Sequence, residues 1–211
     1  MNAPPIEYLI AFTVAASLLT ITPGLDTALV IRTAVAENAK HAMLAGLGIC
    51  AGCIGWGVIV AAGLGALLAA SELAYDILRW VGAAYLLYLG FKLLRSPRRD
   101  FMIDPPETTH GEPGNWFQRG FLTNMLNPKV GVFYVSFLPQ FIPTSASVFA
   151  SSVLLAVIHA MLGIAWFAVL ILATRPIART LRRPSVTQWL DRMTGGIFVL
   201  FGLRLLFSSR N

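Results

Sequence analysis

Charge is what this sequence has least of. Ten acidic and 16 basic residues make up 12% of 211, against 56% hydrophobic residues and a mean hydropathy of +0.70. A soluble domain of this length needs more charge to cover its surface, so an ordinary soluble protein is excluded. Cysteine is nearly absent, which excludes a disulfide framework. The two that exist, Cys50 and Cys53, form a CxxC that in a soluble protein would raise redox or metal chemistry. Here they stand among Gly48, Gly52, Gly55 and Gly57 in an apolar run with no histidine or acid beside them, and they read as small buried thiols. No HExxH or GxSxG pattern and no nucleophile with a base is present, so an enzyme is not expected, nor is a cofactor or resident metal.

What the chain does have is apolar runs long enough to cross a hydrocarbon layer of about 30 Å, roughly 20 residues each. They fall at about 7–35, 42–70, 74–95, 117–138, 147–173 and 188–208. The expected fold is an all-α integral membrane protein of six transmembrane helices, a single domain over 1–211. The stretch "MNAPPIEYLIAF" has no basic n-region and carries Glu7, so it is not expected to be a cleaved signal peptide, and the first span stays.

The net charge of +6 does not point to nucleic acid, because the basic residues flank the spans. Arg32 and Lys40 border the first connection. Lys92, Arg95, Arg98, Arg99 and Arg119 border the third, and Arg175, Arg179, Arg182, Arg183 and Arg192 the fifth. The positive-inside rule then places these connections in the cytoplasm and both termini outside. Tyr8, Trp116 and Trp189 fall at span ends as interfacial anchors; Trp56 and Trp166 lie deep and read as core.

Residues 96–116, "SPRRDFMIDPPETTHGEPGNW", are the one long polar stretch and read as a cytoplasmic linker between repeat one (1–95) and repeat two (117–211). A shift of 112 residues lays Gly90 on Gly202, Lys92 on Arg204 and Leu93 on Leu205. Each half has three spans, so a repeat would be inverted in the membrane, as in many secondary transporters. The first span of each half is interrupted, by "ITPGLDTAL" in span one and "LNPKVGVF" in span four.

In both breaks a capping residue precedes proline, Thr22 before Pro23 and Asn127 before Pro128. Proline suits the first position of a helix and Thr or Asn can accept from freed amides, so each span is expected to be two half-helices, the second starting at the proline. A helix N-terminus is a natural seat for a carboxylate. Beside these seats stand Asp26 and Lys129, and a charge in a span normally faces a cavity or a partner. Amides and an ammonium for a carboxylate, with a carboxylate for an amine, make a receptor for a zwitterion such as a free amino acid. The competing reading is that the prolines merely kink the spans for packing. His159, in "LAVIHAMLG" of span five, has two readings: a proton-coupling group, as Asp26 also is, or a structural hydrogen-bonder. The glycines of span two, Gly48 and Gly52 among them, serve either a contact inside the chain or a homodimer.

At these residues the chain resembles the lysine exporter and homoserine/threonine resistance family of bacterial amino-acid efflux transporters. The stretches that carry the resemblance are "TPGLD" (22–26), "AGLGICAG" (45–52), "GAAYLLYLGFKLLR" (82–95), "GFLTNMLNPKVGVFYVSFLPQF" (120–141) and "FGLRLLF" (201–207). They cover nearly the whole length in order. The family's first motif often has a second proline after the glycine, where this chain has Leu25. The resemblance implies export of amino acids or derivatives from the cytoplasm across the inner membrane by a multi-pass protein, driven by the proton gradient. It also implies Thr22, Pro23, Gly24, Asp26, Asn124, Asn127, Pro128 and Lys129 as substrate-binding candidates. The alternative is a divalent-cation exporter of a related small-transporter type, which would call for several carboxylates in the spans rather than one beside a lysine.

Overall fold

The computed structural model describes residues 4–70, 72–97, 115–143, 146–173 and 183–207, and their regular structure is helical throughout. The expected linker lies largely outside these residues. Among the described residues eight α-helices run in order: α1 (Ile6–Ile21), α2 (Leu25–Ala36), α3 (Ala39–Ala70), α4 (Glu72–Arg95), α5 (Trp116–Met125), α6 (Pro128–Val132), α7 (Val148–Leu172) and α8 (Pro184–Phe207). A π-helical turn (Phe133–Phe137) and a 3-10 turn (Leu138–Phe141) extend α6. Residues 39–63 of α3 and all of α7 are each long and apolar enough to cross a bilayer, and α1 with α2, bent by 51°, make a third candidate when counted as one. This is an all-α membrane protein.

Thr13, Thr20, Thr22 and Thr33 each donate to the carbonyl four residues earlier, which satisfies their hydroxyls inside apolar helices. Glycine sets the helix crossings. A Cβ on Gly48 of α3 would land on the Phe117 carbonyl of α5, and one on Gly120 of α5 would land on the Ala45 carbonyl of α3. Two backbones touch there directly, so Gly48 serves a contact inside the chain. Gly48→Val and Gly120→Val are each expected to prevent stable insertion, because the intruding atoms meet backbone rather than a yielding side chain, beyond the usual overpacking cost of about 1–3 kcal/mol. Fluorescence-detected size exclusion of the solubilised protein checks this, and a monodisperse wild-type peak for either variant would refute it.

Helices α4 and α8 cross antiparallel in a second glycine contact. A Cβ on Gly90 would meet Val199 and the Gly195 carbonyl at 2.7 and 2.8 Å; one on Gly202 would meet Leu87 at 2.9 Å and the Ala83 carbonyl at 3.2 Å. The 112-residue shift read from the sequence carries the first set of contacts onto the second, residue for residue.

Two apolar clusters fill the interior. One is aromatic, with Phe12, Phe133, Tyr134, Phe137 and Phe141 almost fully buried and Phe201 edge-on to Phe137 at 4.2 Å between centroids. The other gathers Val30, Ile31, Ile49, Cys50, Phe167, Leu170 and Leu190. Between them lie the two chain breaks.

Candidate functional site

The first break follows from a missing proton. In a continuous helix the amide of residue 23 would donate to the Leu19 carbonyl, but Pro23 has none, and the residue before a proline is pushed out of the helical region. Thr22 is accordingly extended (φ −64°, ψ 119°) and closes α1. The next helix does not begin at the proline, contrary to the sequence expectation. Gly24 is the cap residue of α2, with no side-chain cap bond, and the first bond inside the helix runs from Ala28 N to Gly24 O. The Thr22 hydroxyl is occupied elsewhere, donating to Leu18 O at 2.6 Å and bonding the Thr194 hydroxyl of α8, so it cannot cap. Asp26 is the acidic residue of the first turn of α2, where the helix dipole favours a carboxylate.

The second break follows the expectation. Asn127 caps α6 through its side-chain oxygen, which accepts from Lys129 N at 3.1 Å, and Pro128 opens the helix. Its continuation departs from regular helix, however, with only five α-helical residues before the π-helical and 3-10 turns. A seat for a carboxylate on a long second half-helix is therefore not formed here.

The two charges are each held by the other break. The Lys129 ammonium donates to Leu19 O at 3.0 Å and to Thr22 O at 2.9 Å. Leu19 O is the acceptor that Pro23 leaves without a partner in the helix, so the lysine supplies the proton that the proline lacks, at a helix C-terminus whose dipole favours a cation. Asp26 accepts from the Asn124 side-chain amide at 2.8 Å and from that of Asn127 at 3.2 Å, one bond to each carboxylate oxygen. Asn124 stands in the last turn of α5, and Asn127 lies past its end. Both amides reach one half-buried carboxyl group and offer it a dipole at each oxygen.

Thr22, Gly24, Asp26, Asn127, Lys129 and His159 line one cavity, together with Leu19, Thr20, Thr27, Ile49, Cys50, Cys53, Val130, Gly163 and Phe167. Among the expected residues Asn124 stands behind Asp26, and Pro23 and Pro128 shape the backbone. The cavity is about 40 Å³ to water-sized spheres, room for roughly three waters at about 10–15 Å³ each.

His159 is buried on α7, its Nδ1 3.1 Å from the Tyr134 hydroxyl, with the Phe133 ring 5.5 Å away between centroids. Trp56 donates to the Asn124 carbonyl at 3.4 Å and lies against Gly131, so this deep tryptophan buttresses the residue that holds Asp26. Two contributors went unread in the sequence. Tyr134 looks like one more aromatic in an apolar run. Thr194 belongs with Thr187 and Asp191 to a stripe on one face of α8, all three buried, and the i, i+4, i+7 spacing of polar residues in a span was a usable signal.

A family model described as a LysE type translocator matches residues 17–209. The chain therefore belongs to the LysE type translocator family. It is 30% identical over 203 residues to the uncharacterized membrane protein YrhP of Bacillus subtilis, covering 93% of this chain and 97% of that one. It is 29% identical to a threonine efflux protein of Salmonella typhimurium (89% and 92% covered) and 29% identical to a homoserine/homoserine lactone efflux protein of the same organism (97% and 98% covered). No solved structure matches it.

Proposed function

We propose that this protein is a secondary active exporter that carries free amino acids out of the cytoplasm by proton antiport. The observation that carries the proposal is the reciprocal exchange of charges between two broken spans around one cavity. A carboxylate on neutral amides and an ammonium on backbone carbonyls, side by side, match the two ends of a zwitterion. On entry, the substrate amine displaces the asparagine amides from Asp26, and its carboxylate draws Lys129 from Leu19 and Thr22. Each protein charge is thus satisfied both before and after binding, which keeps the loaded and empty states close in energy. The efflux relatives named above, for threonine and for homoserine, support the substrate class.

The same proposal includes six spans arranged as two inverted three-span repeats, multi-pass in the inner membrane, with both termini outside. The interchangeable contacts of Gly90 and Gly202 and the paired breaks support it. Inside-out vesicles from expressing cells are expected to accumulate one or a few amino acids, and to lose that accumulation when the proton gradient is collapsed. Vesicles that move manganese or cadmium but no amino acid would overturn it in favour of a cation exporter.

Proton coupling is assigned to Asp26 and His159. His159→Gln keeps a hydrogen-bonding group for Tyr134 but cannot titrate, so the pH profile of transport by this variant is expected to differ from that of the wild type. An unchanged pH profile would make His159 structural.

A further inference from the structure

The cavity has a second character away from its charges. The breaks bring its charged groups, while another part of its wall comes from α3 and α7. Ile49, Cys50 and Cys53 line it from α3; His159, Gly163 and Phe167 line it from α7, four residues apart and so stacked on one face. The stretch Ile49, Cys50, Gly163 and Phe167 holds no charged group.

Gly163 is the one place in this wall where a side chain is missing. A Cβ there would stand 3.1 Å from Cys50 Sγ and 3.8 Å from Phe167 Cε2. The first distance is tight and the second is ordinary contact, so a methyl would be held between thiol and ring. Phe167 has little room to retreat, because its ring is seated on α3, where a Cβ on Gly46 would already meet it at 3.1 Å. Cys50 is equally enclosed, 4% exposed. A methyl at 163 therefore takes its space from the cavity, and in a space of about 40 Å³ it removes roughly one of three water-sized positions.

We propose that Ile49, Cys50, Gly163 and Phe167 form the side-chain subsite of the exported amino acid, with Gly163 setting its depth, and that it takes short, uncharged side chains. The proposal deepens the export function and rests on it. With the zwitterion's two ends on Asp26 and Lys129, the side chain is directed to the remaining wall. A cationic or anionic side chain would there exchange its hydration for thiol, aliphatic carbon and ring, with Asp26 and Lys129 already engaged by the substrate's own amine and carboxylate. Ile49 and Phe167 bound the subsite with apolar surface, and Cys50 is its one polarizable atom.

The test is transport into inside-out vesicles of a series of graded length and charge: alanine, serine, threonine, homoserine, leucine, lysine and aspartate. Wild type is expected to move members of the uncharged set and neither lysine nor aspartate. Gly163→Ala should lower transport of homoserine and leucine relative to alanine by at least about tenfold, the discrimination that one methylene provides in an apolar pocket. Cys50→Ala should shift the same ratio the other way, and it covers the case in which Gly163→Ala fails to insert. Ratios unchanged in Cys50→Ala, or transport lowered equally for every substrate in Gly163→Ala, would overturn the subsite. So would wild-type transport of lysine or aspartate at the rate of the uncharged set. Wild-type vesicles that move no amino acid at all would remove the export function itself, and the subsite with it, a result distinct from unchanged ratios in an active protein.

Discussion

Lys129→Met is expected to abolish export in a protein that still reaches the membrane. Methionine matches the length of the lysine stem and fills the same apolar passage, but it brings no proton to Leu19 O or Thr22 O. Two buried carbonyls without a donor cost about 1–3 kcal/mol each, so thermal stability in detergent should fall as well. Asp26→Asn removes the other charge, and its new amide offers one acceptor where Asn124 and Asn127 each donate to a carboxylate oxygen. Truncating one member of a buried charge contact typically costs about 2–5 kcal/mol, roughly 30-fold to several thousandfold in affinity. Vesicle transport and substrate-dependent thermal shift check both variants together. Wild-type export by Asp26→Asn would show that the carboxylate only organises the backbone.

Pro23→Ala should move activity and stability in opposite directions. Alanine at 23 restores an amide that can reach Leu19 O, the acceptor that Lys129 now uses. Pro23 lies between the two helices, and alanine there lifts the bar on a continuous helix, so the chain can straighten the 51° bend between α1 and α2. A straightened span draws Asp26 out of reach of the two asparagines and withdraws one of the lysine's two carbonyls. The variant is expected to melt at or above the wild-type temperature and to export at least about tenfold more slowly, which is 1.4 kcal/mol. Full export together with a raised melting temperature would reduce "TPGLD" to a bend for packing.

Much of this was legible in the sequence, and the particular residues show why. Proline has one local consequence, a missing donor, so both breaks were visible as soon as Pro23 and Pro128 were seen inside apolar runs. Asn127 was legible as a cap because a cap acts on its own next turn. Thr22 was misread for the complementary reason. Its hydroxyl is claimed by Leu18 and by Thr194 of α8, and no local rule reports a contact across 172 positions. The partners of Asp26 and Lys129 were hidden in the same way: the sequence paired the charges with a substrate, while the structure pairs each with the opposite break. The glycines of α3 were readable as close-approach positions, but only the fold says that α5 is what approaches Gly48.

The crossing of α4 and α8 reads the same from either helix, Gly90 meeting residues 195 and 199 as Gly202 meets 83 and 87. The positions correspond although the side chains differ, Gly195 and Val199 on α8 standing where α4 has Ala83 and Leu87. The halves differ most sharply at the breaks, where one half brings a carboxylate and the other an ammonium. In the proposed exporter the two helices would thus share one joint while the two breaks divide the charges between them, the carboxylate on one and the ammonium on the other.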